Sequence, residues 1–296
     1  MIDIKYKRAR TIAEAHDMAA KARGNSMFLC GGTDLIVKSK AGKIKPSTWI
    51  DISKLAELKA IDEKEDHIYI GAATTYRQLE FSNVIKRELP CLLEAVLEVG
   101  SPQIRALGTL GGNFANASPA GDGIPPFYAM AGLVVLNGPQ GERTVAAETF
   151  FRGVGRTVLA PGEVIQGFRV PRWAGHRATF LKLGPRRSLS IAKVSMALAL
   201  EVTDGVMRNV RIGLGAVAPT VIRGLKAEKF LEGKVPKNEV YEEAARLTRL
   251  EVSPISDYRS TAEYRREMAG TLVKRALCTL CGDTAVSNAD FDVEIR

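Results

Sequence analysis

The sequence holds 296 residues, with 42 Lys and Arg against 33 Asp and Glu, a formal net charge of +9, and 46% hydrophobic and 25% charged residues. These proportions suit a globular chain with room for two or three cores, and no apolar run approaches the roughly 18 residues that a membrane span needs. The basic residues are scattered and aromatics reach only 6%, which argues against a nucleic-acid-binding face and leaves a basic surface, an acidic partner or an anionic ligand as readings of the charge.

The opening MIDIKYKRARTIAEAHDM has no apolar h-region, so no secretory signal and a cytoplasmic location are expected. Residues 11–23 read as a helix: Thr11 with Glu14 forms a capping box, alanines and Met18 supply a face, and Gly24 stops it. Residues 26–30 and 48–52 read as strands, so the start of the chain is a small α/β unit. Residues 67–72 read as another strand. A helix is predicted over 88–99, where Leu89, Leu92, Leu93, Val96 and Leu97 recur at i, i+3, i+4, i+7 and i+8. Pro90 suits its first turn, and Gly100 with Pro102 ends it.

Residues 101–126 are rich in glycine and hold four prolines, so regular structure throughout is excluded. Ile104, Leu107, Leu110 and Phe114 recur inside the segment, as expected of a packed functional loop. Residues 133–136 form a strand before a turn at 137–141, and residues 164–170 a strand closed by Pro171. The main boundary is placed at 171–177. Beyond it, three strands are expected at 178–183, 191–202 and 206–217, the last two joined by a hairpin turn at 203–205. Helices near 223–232, 238–249 and 261–281 follow, the last with Ser260 and Glu263 as a capping box. Strands followed by helices suggest an α+β domain, and the tail beyond 283 has no periodic pattern.

Four cysteines (Cys30, Cys91, Cys278, Cys281) are too few for a disulfide scaffold. Cys278 and Cys281 fall late in a helical pattern, not at a helix start where the thiol pKa would drop, so structural thiols are expected. His16, His67 and His176 stand in unremarkable contexts.

Two glycine pairs share a local chemistry: Gly31-Gly32-Thr33 within LCGGTDLIV (29–37), and Gly111-Gly112-Asn113. Neither fits the spacing of a Rossmann fingerprint or a Walker A loop. Each could be an ordinary tight turn. Each could also be a nest, in which successive amides aim N–H groups at an anion without a lysine. Thr33, Thr109 and Ser118 could add hydroxyls, and Asn113 an amide.

LCGGTDLIV resembles the LAGGTDLL turn of the flavoprotein subunits of molybdenum hydroxylases, and QIRALGTLGGNFANASPAGD (103–122) resembles their QIRNxATxGGNIxxASPxxD segment. Residues 160–171, 180–200, the run APTVIRGLKAEKFLEGK and residues 257–265 continue the resemblance in order over nearly the whole chain. It implies an α+β chain: a two-subdomain FAD-binding fold of the vanillyl-alcohol-oxidase (PCMH) type, with subdomains at 1–57 and 58–173. A C-terminal α+β domain with a three-stranded sheet and helices follows at 174–285, then a tail at 286–296. It implies FAD as cofactor, with the diphosphate on Leu29, Cys30, Gly31, Gly32, Thr33, Asp34, Leu35 and Ile36. Further contacts are implied at Gly100, Thr109, Leu110, Gly111, Gly112, Asn113, Ser118, Asp122, Ile165 and Lys182, the lysine holding negative charge on the reduced ring. Taken alone, Asp122 reads as a cap for the turn at 121–123, Ile165 as core, and Lys182 as a solvated edge charge. Arg186 and Arg187 are expected to be structural or interfacial.

Cys30 departs from the usual alanine, and Ala106 from an asparagine. No cysteine lies within 31–90 or 92–277, so no iron–sulfur centre and no metal site is expected in this chain, and no side-chain catalyst either. The resemblance further implies an electron-transfer subunit working with a molybdopterin-binding large subunit and a [2Fe–2S] small subunit, in a dimer of heterotrimers, with NAD or another electron acceptor. A stand-alone flavin oxidase and a scaffold lacking FAD remain the alternatives.

Overall fold

The computed structural model describes residues 4–22, 25–186 and 189–282, arranged in two compact units. The first unit takes the chain up to Glu88, then Val99–Ser118 and Ala131–Arg172; the second takes Leu89–Glu98, Pro119–Met130 and the chain from Trp173 onward. Gly24, Arg187 and the expected tail lie outside the described residues.

The first unit begins with a parallel three-stranded sheet in the order Lys5–Arg8, Thr48–Asp51, Ser26–Leu29. Thr48–Asp51 is buried throughout because it lies between the other two strands and contributes Ile50 to a core with Ile12, Ala15 and Ala19. The first strand, KYKR, is exposed along its length and shows no apolar alternation. It is held instead by ladder bonds and by Asp51, whose carboxylate accepts from Arg8 Nε at 2.9 Å and from the Tyr6 hydroxyl. The helix Ile12–Lys21 starts at Thr11, which accepts from the Glu14 N–H at 3.1 Å. Glu14 reaches the Arg10 N–H and not that of Thr11, so the expected box is displaced by one residue.

A five-stranded antiparallel sheet follows in the order Ile61–Glu63, His67–Gly71, Val164–Pro171, Leu133–Gly138, Gly141–Ala146. The predicted turn at 137–141 shrinks to Pro139-Gln140, because Asn137 and Gly138 stay in the ladder opposite Glu142 and Gly141. Val164–Pro171 is central, with Phe168 fully buried and its ring 4.6 Å from that of Phe114.

The glycine-rich segment is mostly short helices: Pro102–Leu107, Leu110–Asn116 and Pro125–Ala129. Two have prolines near the first turn, and Ser101 and Thr109 cap the first two. The expected turn at Gly111-Gly112 is therefore the first turn of a helix.

In the second unit the sheet has four strands, not three, in the order Arg177–Leu183, Val194–Thr203, Val206–Gly215, Ile222–Arg223. The added strand is two residues long, too short to show a period. Asp204 and Gly205 turn the central hairpin with φ of 52° and 75°, as a type I′ turn requires. The helices Leu225–Leu231, Asn238–Glu251 and Ala262–Cys281 build a core with the sheet around Met196, Leu198, Ile212, Leu214, Tyr241 and Leu277. The last helix is capped by Thr261, whose hydroxyl accepts from the Tyr264 N–H at 3.2 Å. Ser260 is engaged in a backbone bridge with Asp257, so the expected cap moves on by one residue. The helix Pro90–Leu97 belongs to this unit: Glu94 Oε2 accepts from the Phe180 N–H at 2.6 Å and the Thr179 hydroxyl at 3.0 Å. Cys278 is buried in this helical core, and no disulfide joins the four cysteines. Among the described residues no helix is long and apolar enough to cross a membrane, and no side-chain cluster is arranged to hold a metal.

Candidate functional site

The strand Ser26–Leu29 ends where the Ile52 N–H donates to the Leu29 carbonyl at 2.9 Å, and the chain then turns into the helix Leu35–Lys40. Both glycines of this turn are dictated by geometry. A Cβ on Gly31 would stand 2.1 Å from the Leu107 carbonyl oxygen, and Gly32 has φ +71°, the left-handed region that side chains disfavour. The N–H groups of Gly32, Thr33 and Asp34 donate to no other described residue. Backbone donors left unspent together in one turn call for an outside acceptor.

That turn borders a cavity of about 770 Å³ formed by the first unit, within the range of a small-molecule site. Of the residues named from sequence, Cys30, Gly31, Gly32, Thr33, Asp34, Leu35, Thr109, Gly111, Gly112, Asn113 and Ile165 line it. Leu29 and Ile36 stand behind Gly32, 3.3 Å and 3.2 Å from where its Cβ would be. Leu110 is fully buried in the core. Gly100, with φ +47° beside Ile104, and Ser118 are not among the lining residues.

The second glycine pair is not a nest. Gly111 N–H donates to the Ala72 carbonyl at 2.9 Å, Gly112 N–H to Thr109 Oγ1 at 3.1 Å, and Asn113 N–H to the Thr109 carbonyl at 3.0 Å. Helix formation and capping consume the donors that a nest would need. The pair contributes something else. A Cβ on Gly111 would stand 2.6 Å from that of Ala72, so glycine is set there by packing. On Gly112, which lines the cavity, a Cβ would stand 2.9 Å from the capping Thr109 hydroxyl and meet nothing else within 4 Å. The Asn113 side-chain Oδ1 is buried without a partner among the described residues, a state that a ligand donor would relieve.

Further lining residues carry no sequence signal of their own. His16 borders the cavity with Nε2 3.2 Å from the Asn137 carbonyl oxygen. Residues 159–165 also line it, fixed by Glu163, which takes two bonds of 2.7 Å from Arg143 and one of 2.7 Å from the Ala160 N–H. The hydrogen bonds from Arg143 lower the Glu163 pKa. Burial pushes the Cys30 thiol up, so it lines the site as a neutral group.

Asp122 and Lys182 belong to the second unit and do not line this cavity. Lys182 Nζ donates to Asp122 Oδ2 at 2.6 Å and to the Glu98 carbonyl at 3.0 Å. The solvated-edge reading of Lys182 fails, since its side chain is 2% exposed. Asp122 Oδ1 has no partner among the described residues, and burial raises this carboxyl to about 6 against the pull of Lys182.

Residues 2–173 match the family model described as "FAD binding domain in molybdopterin dehydrogenase", and residues 179–280 match "CO dehydrogenase flavoprotein C-terminal domain". The chain is 33% identical over 273 residues to the carbon monoxide dehydrogenase medium chain of Afipia carboxidovorans, covering 92% of this chain and 94% of that one. It is 31% identical over 281 residues to the nicotinate dehydrogenase FAD-subunit of Eubacterium barkeri, covering 93% and 95%. A solved structure of carbon monoxide dehydrogenase from Hydrogenophaga pseudoflava superposes with a TM-score of 0.91 at 34% identity, over 94% of this chain and 97% of that one. The cavity suits such a cofactor: unspent amides at Gly32 to Asp34 match a diphosphate, and the orphaned Asn113 oxygen matches a donor on the ligand. The chain therefore belongs to the FAD-binding flavoprotein family of the molybdopterin dehydrogenases, and its cofactor is FAD.

Proposed function

We propose that this FAD subunit is the electron outlet of a three-component molybdenum hydroxylase. It takes electrons from a [2Fe–2S] small subunit, which receives them from a molybdopterin-binding large subunit, and delivers them to NAD or another acceptor. FAD supplies the needed conversion, accepting electrons singly and releasing them as a pair. The observation that carries the reading is the run of unspent amides from Gly32 to Asp34 on a cavity inside the matched FAD domain. In this reading those amides hold the diphosphate, Gly112 leaves room for the cofactor, Asn113 accepts a hydrogen bond from it, and the Ile165 backbone lies by the flavin. The remaining sequence-named contacts of this unit, Gly100 and Ser118, are part of the same proposal. The relatives' designation as a medium chain or FAD-subunit supports a multi-subunit assembly. We place it in the cytoplasm as a dimer of heterotrimers.

Expression together with neighbouring reading frames tests this. The expected product is a complex with one large and one eight-cysteine small chain, whose flavin band bleaches only when all three are present and the large subunit's substrate is added. A chain that oxidises a substrate by itself, with flavin bleaching in the absence of partners, would overturn the proposal.

A further inference from the structure

Lys38 lies in the helix that follows the first glycine turn, four residues beyond Asp34, and lines the same cavity as the unspent amides. Its ammonium donates to the side-chain oxygen of Asn116, which sits at the end of the helix Leu110–Asn116 and also lines the cavity. No carboxylate among the described residues pairs with it, Asp34 included. An ammonium has three donors and Asn116 takes one, so two remain. The cavity thus carries a half-buried cation fixed by a neutral acceptor, together with a turn whose amides have no acceptor. A neutral anchor positions the charge without cancelling it, whereas a carboxylate in its place would quench the field that an anion sees.

We infer that Lys38, aimed by Asn116, is the charge partner of the cofactor's diphosphate, which the nest holds by hydrogen bonds alone. The inference rests on the FAD reading and adds to it a residue outside the glycine turn. It divides the work by chemistry: amides fix the position of the phosphate oxygens, and Lys38 neutralises part of their charge. Affinity for a flavin carrying phosphate then depends on ionic strength, while affinity for a flavin without phosphate does not.

The test uses the full chain stripped of flavin and titrated by fluorescence with FAD and, separately, with riboflavin, at low and at high salt. Lys38→Met is expected to weaken FAD binding about tenfold at low salt and to flatten the salt dependence. Riboflavin binding stays as in the parent, and Lys38→Arg recovers most of the loss. Lys38→Gln serves as a second neutral variant, with unchanged thermal melting as the check on folding. FAD affinity and salt response unchanged in the neutral variants would overturn the inference. So would an equal loss of FAD and riboflavin, which would make Lys38 a support for the pocket's shape. A parent chain that binds neither flavin would overturn the FAD reading itself and this inference with it, a result distinct from the other two.

Discussion

Lys182 Nζ and Asp122 Oδ2 form an ion pair at 2.6 Å with side chains only 2% and 9% exposed. Among the described residues the pair is supported by a further acceptor, the Glu98 carbonyl, and Asp122 Oδ1 is left without a partner. Burying two charges is costly, and their attraction offsets that cost only while both are present. Lys182→Met is therefore expected to destabilise the protein by about 3–5 kcal/mol at neutral pH. The sign of the pH dependence follows from Asp122. Burial raises its pKa in the folded protein to about 6, against an ordinary value of 3.8, so the fold favours the protonated form. That contribution is complete below pH 4 and is lost as pH rises through 6. Without Lys182 the carboxyl is pushed higher still, so the loss should be clearly smaller at pH 5 than at pH 7.5. Urea unfolding of parent and variant at the two pH values measures this; an equal loss at both would show that the pair is not what the lysine serves.

The glycines separate three physical roles. Gly32→Ala keeps the fold at a cost of about 1–2 kcal/mol, the strain of a left-handed alanine. Gly111→Ala costs about 1–3 kcal/mol by overpacking against Ala72, 2.6 Å from the new methyl carbon. Gly112→Leu costs about 1–2 kcal/mol, because the new Cβ stands 2.9 Å from the Thr109 hydroxyl that caps the helix, and the rest of the side chain enters the cavity and lowers the flavin bound per chain. Melting curves with visible absorbance per chain distinguish them; full flavin content in Gly112→Leu would remove that residue from the site.

Asp51 provides a second pH signature in the first unit. Its carboxylate is 4% exposed, and although burial opposes its charge, hydrogen bonds from Tyr6, Ser53 and Arg8 prevail and hold it at about 2. A depressed acid contributes stability above its unfolded pKa and loses it as pH falls through the folded one. Asp51→Asn should thus cost about 2 kcal/mol at pH 6 and little at pH 2. Thermal melts that fall in parallel for parent and variant from pH 5 to pH 2 would contradict the assignment.

What the sequence made legible was whatever carries a local signal. The leucine spacing around Pro90, the Asp204-Gly205 hairpin and the long helix near the C-terminus all have periods or turn chemistry of their own. The strand Lys5–Arg8 has neither, since its place depends on pairing with residues 43 positions away. The strand Ile222–Arg223 was invisible for its length. At the site, Gly31 and Gly32 could be singled out by composition, but not the reason for each: one makes room for Leu107, the other supplies a positive φ. The second glycine pair looked the same in sequence and is different in space, because Thr109 and Ala72 take its amides. Lys38 resembled any surface lysine until the cavity and Asn116 were placed beside it.

The most direct test of the cofactor site is titration of the flavin-free chain with FAD, followed by gel filtration and visible spectroscopy. Saturation is expected at one FAD per chain, with a flavin band that travels with the protein and is lost in Gly112→Leu while that variant still unfolds in a single cooperative transition. A folded parent chain that emerges without flavin absorbance after saturation with FAD would contradict it.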